Sequence, residues 1–196
     1  MRHCILASAS PRRKEILEHL GVAFDIYVTD ADESCSLTDP EALAEEIAAR
    51  KGRAALERLR AEGRDLTNEV LIASDTTVSV GGEILGKPRD GEDARRMLRM
   101  LSGGTHRVVS GIYLLFNGKE AISHAVTEVE FAPMSEEEIE FYVQSGEPYG
   151  KAGAYAIQGL ASAWIRGIKG DYFNVVGLPV NRMYELFFEN FGENFL

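Results

Sequence analysis

Two apolar-rich segments, Arg107 to Phe116 and Ala121 to Phe131, are joined through Asn117-Gly118. Asn-Gly between alternating hydrophobic runs is the strongest short signal for an antiparallel hairpin, because the favoured two-residue turn needs positive φ at both positions. A chain with such a hairpin at its centre cannot be an all-parallel α/β protein. In the second segment Ala125, Thr127, Val129 and Phe131 share one face, and His124, Glu128 and Glu130 take the other. One side of that strand is therefore expected to meet solvent. A shorter hairpin is expected from Val78 to Leu85, turning at Gly81-Gly82.

Around these hairpins, short apolar runs alternate with helical spacing. Cys4 to Ala7 reads as a buried strand, and Pro11 to Leu20 as a helix with Ile16, Leu17 and Leu20 on one face and Gly21 as its stop. Ala23 to Thr29 reads as a strand and Asp30 to Asp39 as a polar loop. Pro40 opens a long helix to about Leu59 or Arg60, with Leu43, Ile47, Ala54 and Leu56 among its buried positions. Val70 to Ala73 is a further buried strand, expected to end in a turn at Ser74-Asp75-Thr76-Thr77. Gly91 to Leu101 is amphipathic, with Ala94, Met97, Leu98 and Leu101 inward. Ser135 to Gln144 is a helix opened by a capping box of Ser135 with Glu138. Ala163 to Ile168 is a strand, and a last helix starts at Pro179 and runs to about Phe191. The expected class is α/β with a mixed sheet. With no internal repeat, low-complexity stretch or linker, residues 1–196 are expected to form a single domain.

Composition narrows the ligand. The chain carries 21 Lys+Arg against 31 Asp+Glu, a net charge of −10. Such a surface repels nucleic acid and anionic membrane, so neither is expected as a partner, and an anionic ligand must meet a local basic pocket. Cys4 and Cys35 have no CxxC spacing, which fits a reducing compartment. No apolar run approaches the roughly 18 residues of a membrane span. The stretch beginning MRHCILASASPRRKE has too short an apolar core for a signal peptide, so a cytoplasmic location is expected.

Four segments carry candidate chemistry. Ser8-Ala9-Ser10-Pro11-Arg12-Arg13 lies between a strand end and a helix start. Free first-turn N–H groups, with Ser10 as cap, and two guanidinium forks suit an anion there; a capped surface helix with solvated arginines is the plainer alternative. Asp75 follows a buried strand, a common place for a general base or metal ligand, although such an aspartate is often only a turn residue. Lys87, in Leu85-Gly86-Lys87-Pro88, and Lys51, on an alanine-rich helix, are placed to reach a phosphate chain or are simply solvated. In Lys151 to Gly159, small residues allow close backbone approach, and Gln158 offers the donor and acceptor needed to read a base edge, or packs as a buried polar group. His3, His19, His106 and His124 show no metal-ligand spacing, and no GxSxG elbow supports a hydrolase triad. Together these signals suit a nucleotide phosphate chain with a divalent metal.

The segments LASASPRRKEIL, ASDTTV, ILGKP, LSGGTHRV, GKAGAYAIQG and NVVGLP occur in the order found in the Maf family, which this chain resembles from Ile5 to about Phe188. Those proteins are nucleoside triphosphate pyrophosphatases, also described as septum-formation inhibitors. The resemblance implies a fold like that of the inosine-triphosphate pyrophosphatases: an elongated mixed sheet with flanking helices forming two lobes around a cleft. It implies hydrolysis of a nucleoside triphosphate to the monophosphate and pyrophosphate, with Mg²⁺ or Mn²⁺, by a homodimer.

Carried over by motif, the proton acceptor is Asp75. The phosphate-contacting residues are Ser8, Arg12, Arg13, Lys51 and Lys87, and Glu33 with Asp75 would hold metal. Arg12, Thr76 and Gln158 resemble the branch that prefers dTTP and UTP, Thr76 and Gln158 as readers of a pyrimidine edge. Many members have Asp where this chain has Gly150, so it does without that carboxylate or Glu147 replaces it. Two rival expectations remain: a nucleotide-binding regulator of cell division without essential turnover, and another phosphate-ester enzyme such as a sugar-nucleotide transferase.

Overall fold

The computed structural model describes residues 2–195. Along the chain run β1 (Cys4–Leu6), α1 (Pro11–His19), β2 (Phe24–Ile26), α2 (Pro40–Ala61), β3 (Val70–Val80), β4 (Glu83–Leu85) and α3 (Gly91–Leu101). Then follow β5 (Thr105–Phe116), β6 (Lys119–Phe131), α4 (Glu136–Gln144), β7 (Ile165–Lys169), α5 (Tyr172–Val176) and α6 (Val180–Phe191). Short 3₁₀ turns cover Ala152–Ala154 and Leu160–Trp164.

Among the described residues the seven strands form one sheet, ordered β2-β1-β3-β5-β6-β7, with β4 paired to β3. β2 and β3 flank β1 in parallel, and the other pairings are antiparallel, so the sheet is mixed as expected. The central hairpin forms as the Asn-Gly signal demands: β5 and β6 pair from Thr105↔Glu130 to Phe116↔Lys119, with Asn117 at φ 47° and Gly118 at φ 79°. α5 is absent from the sequence expectations, because five residues are too few to show a helical period.

Helices cover both faces of the sheet. Ala48, Ala49, Leu56 and Leu59 of α2 pack on Ile5, Leu71, Tyr113 and Leu115. Leu43 and Ala54 are only half-buried; Ala44 and Ala55, one step further round the helix, take the inward positions. On the other face, α1 and α6 cover Leu6, Val70, Ile72 and Leu114, while α3 and α4 cover Val78, Val108 and Val129. Ala94, Met97, Leu98 and Leu101 of α3 are almost wholly buried, and each of the three larger side chains is stabilising by about 1.5–3 kcal/mol through water exclusion. Two core clusters thus share one face of the sheet, and Ile157 packs against both. No described helix is long and apolar enough to cross a membrane.

Candidate active site

The site forms where the sheet edge is interrupted. β1 accompanies β3 only from Val70 to Ile72, and β4 joins only at Val78. Between them, Ala73 to Thr77 pair with β5 on one side and with no described strand on the other. The Ala7 N–H makes the last bond across this edge, to the Ile72 carbonyl at 2.8 Å, before the chain turns into α1. The expected turn at Ser74 to Thr77 is therefore corrected: β3 runs on to Val80. Thr76, Thr77 and Val78 are β-branched and suit a strand, and β5 pairs with them throughout. Asp75 is a mid-strand residue made accessible by a missing neighbour.

Successive side chains of a strand point to opposite faces. Asp75 lies on the α2 face, where Lys51 donates to its Oδ1 at 2.6 Å. The same ammonium lies 3.0 Å from Glu33 Oε1, in the loop between β2 and α2. Burial opposes ionisation of Glu33, but the Lys51 hydrogen bond and the charges of Lys51, Lys87 and Arg13 outweigh it and hold the carboxyl below its ordinary value. Ser74 and Thr76 lie on the opposite face. There the Ser74 hydroxyl donates to the Gly177 carbonyl at 3.1 Å, and Thr76 Oγ1 lies 2.9 Å from the Ser110 hydroxyl.

A cavity of about 350 Å³ opens at the interruption. Ser8, Arg12, Arg13, Lys51, Asp75, Thr76, Lys87 and Gln158 all line it, so five distant stretches meet as the sequence reading requires. Lys151, which no sequence argument assigned a role, lines it too. Its ammonium donates to the Glu147 and Tyr149 carbonyls, and its pKa is lowered by burial and then by Arg12. The signal was present in its place beside a run of small residues. Val78, Val108, Tyr155, Ile157 and Val175 supply an apolar wall.

The two adjacent arginines do different work. Helical residues step by about 100°, so Arg13 turns inward and Arg12 toward the cavity. Arg13 is 8% exposed and donates to the Gly177 carbonyl (2.8 Å), Ser8 Oγ (3.1 Å) and Thr76 Oγ1 (3.1 Å). It braces the cavity wall and supplies charge there; burial lowers its pKa, with Asp75 opposing. Among the described residues, no carboxylate is bonded to Arg12. Burial lowers its pKa as well, and Glu15 opposes through charge alone. Ser10 stands at the N-cap position, but its side chain makes no capping bond, which corrects that expectation. Its N–H donates instead to Ser8 Oγ at 3.2 Å.

A family model described as Maf-like protein matches residues 3–190. The chain belongs to the Maf family. Among its relatives, the dTTP/UTP pyrophosphatase of Symbiobacterium thermophilum is 45% identical over 95% of this chain and 93% of that protein. The dTTP/UTP pyrophosphatase of Thermococcus kodakarensis is 46% identical over 93% of this chain and 94% of its own. That of Alkaliphilus metalliredigens is 45% identical over the full length of both. A solved structure, the Staphylococcus aureus Ham1 protein, overlaps 67% of this chain and 72% of its own at 18% identity and a TM-score of 0.47.

Gly150 lines the cavity at φ 73° with open space where a side chain would point. Glu147 does not fill that space. Its carboxylate accepts from the Tyr142 hydroxyl at 2.7 Å and from the Leu160 N–H at 2.9 Å, so it caps the 3₁₀ turn instead.

Proposed function

We propose that this chain hydrolyses dTTP and UTP to the nucleoside monophosphate and pyrophosphate, as the names of its relatives suggest. The observation that carries the reading is the convergence of Arg12, Lys51, Lys87 and Lys151 on one cavity with Asp75, in a protein of net charge −10. A triphosphate carries about four negative charges, and fixed cations aimed at it stabilise the charge that moves toward the leaving group. The N-terminus of α1, with first-turn N–H groups that no Ser10 side chain claims, adds a further anion-binding element.

Asp75 and Glu33 direct oxygens toward the one point held by the Lys51 ammonium. Among the described residues, no three His, Cys, Asp or Glu side chains come together as a cage. Two carboxylates suit a hard cation such as Mg²⁺ or Mn²⁺, which takes its remaining ligands from water and substrate phosphates. Held by these two carboxylates, with Lys51 turned to the phosphates, such an ion would supply charge to the phosphate chain and make nearby water more acidic.

In this reading Asp75 accepts a proton from water as the water oxygen bonds to the α-phosphorus. The bond from that phosphorus to the bridging oxygen breaks, and its electron pair leaves with pyrophosphate. Arg12, Lys51 and Lys87 hold the phosphates, with Ser8 beside them, and Arg13 keeps Ser8 and Thr76 in place. Gln158, exposed at the rim, reads the pyrimidine edge. The homodimer, the cytoplasmic location and a single two-lobed domain belong to the same reading.

The test is pyrophosphate release from a panel of nucleoside triphosphates with Mg²⁺ or Mn²⁺. Asp75→Asn should lower kcat by about 10²–10⁴-fold, the range for loss of a general base. Saturable nucleotide binding without release would replace this reading with that of a binding regulator.

A further inference from the structure

The cavity's apolar wall has a support that the reaction scheme leaves unused. His106 of β5 is 2% exposed, with Nε2 2.7 Å from the Tyr155 hydroxyl. Phe131 of β6 stands edge-on to both rings, at centroid distances of 5.2 Å and 5.0 Å. Tyr155 lines the cavity, and its neighbours Ala156, Ile157 and Gln158 line it as well. This stretch has almost no regular structure to hold it. The preceding Ala154 is a non-glycine residue at φ 59°, and the Gly153 N–H bonds to the Gly86 carbonyl at 3.1 Å. The Tyr155 hydroxyl on His106 is the side-chain hydrogen bond that ties this stretch to the sheet.

We propose that His106 is a positioning residue for the nucleobase end of the cavity, acting through the Tyr155 hydroxyl on the wall that presents Gln158. The inference rests on the pyrophosphatase reading. Three observations favour it over simple packing. First, His106 Nδ1 is buried with no hydrogen-bond partner among the described residues, a costly feature that an apolar residue would avoid. The bond the ring does make runs through its other nitrogen, to the Tyr155 hydroxyl. Second, burial pulls the imidazole pKa down to about 4, so near neutral pH it offers a constant hydrogen bond and no charge. Third, the bond reaches a side chain on the cavity wall, three positions before Gln158.

The test compares His106→Leu, His106→Gln and Tyr155→Phe. Each is assayed for dTTP turnover, for dTTP binding by calorimetry, and for competitive inhibition by inorganic tripolyphosphate, which occupies only the phosphate end. His106→Leu and Tyr155→Phe should each raise KM and Kd for dTTP by about tenfold, the effect of one lost hydrogen bond, while kcat changes far less. The double variant should be no worse than either single one. His106→Gln, whose amide can reach the Tyr155 hydroxyl, should recover most of the loss, and inhibition by tripolyphosphate should stay unchanged.

Unaltered dTTP binding in Tyr155→Phe, or equal weakening of dTTP and tripolyphosphate, overturns the inference. Tyr155→Phe removes a single oxygen and keeps the test valid if His106→Leu fails to fold. Wild-type protein that binds dTTP without releasing pyrophosphate would refute the pyrophosphatase reading alone, because the binding comparison still decides the role of His106.

Discussion

Gly111 sets how deeply α2 sits on the sheet, and so where Lys51 stands. It pairs directly with Asp75 across the β3–β5 ladder and therefore shares the α2 face. A methyl group at Gly111 would lie 2.1 Å from the Ala44 carbonyl oxygen, 2.3 Å from its carbon and 2.7 Å from the Glu45 nitrogen. All three are backbone atoms, so no side-chain rotation relieves the overlap. Ordinary contact begins near 3.4 Å, so the helix must retreat by about 1.3 Å. Gly52 is packed as tightly, with a built methyl 2.0 Å from the Tyr113 ring, so α2 is seated closely at two points.

Lys51 lies seven residues beyond Ala44, on the same side of the helix. Retreat by that distance would stretch its 2.6 Å bond to Asp75 beyond hydrogen-bonding reach. Gly111→Ala should cost about 1–3 kcal/mol in stability through overpacking and about 10²-fold in kcat/KM through misplacement of the site. The assays are urea unfolding and pyrophosphate release from dTTP. Lys51→Met is the control, with a comparable loss of activity and a smaller loss of stability. Gly111→Ala with a wild-type unfolding midpoint and kcat/KM within about threefold of normal would refute this account of the α2 seat.

Three further outcomes are expected. Arg13→Met should destabilise the fold by about 2–4 kcal/mol, because Ser8 and Thr76 lose a charged donor inside the wall; a midpoint shift typical of an exposed arginine would show that the buried fork carries no such role. Gln158→Ala should reduce discrimination between dTTP and dCTP in kcat/KM, and an unchanged ratio would remove it as a base reader. The Asp93 carboxyl, at the start of α3, is held down to about 2 by the Arg89 N–H, then by the Arg89 and Arg96 guanidiniums. Its folded pKa lies below the ordinary 3.8, so the stability it contributes is complete above about pH 4 and is lost as pH falls toward 2. Asp93→Asn should flatten the urea midpoint across that window, and an unchanged slope would contradict the assignment.

Features written in neighbouring residues were legible in the sequence, and features written by distant ones were not. Gly91–Leu101 and the Ser135 capping box follow from local spacing and cap chemistry, and both form as read. The path of the chain through Asp75 did not follow, because Ser-Asp-Thr-Thr suits a turn as well as a strand. Pairing with β5, from 30 or more residues away, decides for the strand. The cations that the motif pattern singled out line one cavity, but the pattern treated Arg12 and Arg13 as equivalent. Their division needs the inward face of α1, and that is fixed by Gly177 and Thr76. Glu147 shows the same limit, since its claim on the Leu160 N–H depends on a turn formed thirteen residues later.

The interruption of the sheet edge ties these points together. On a fully paired strand, Asp75 and Thr76 would open to opposite faces and could not serve one ligand. At Ala73 to Thr77 the outer neighbour is missing, and side chains from both faces reach the same cavity. An unpaired edge is ordinarily a hazard, because its free N–H and C=O groups invite another strand. Here β1 on one side and β4 on the other limit it to five residues, and the turn into α1 crowds it with Ser8 and Arg12. The gap is too short to accept a typical strand of five or six residues with its flanks, yet long enough for a phosphate chain. Binding chemistry and protection against edge pairing thus follow from one structural decision, the early end of β1 at Leu6.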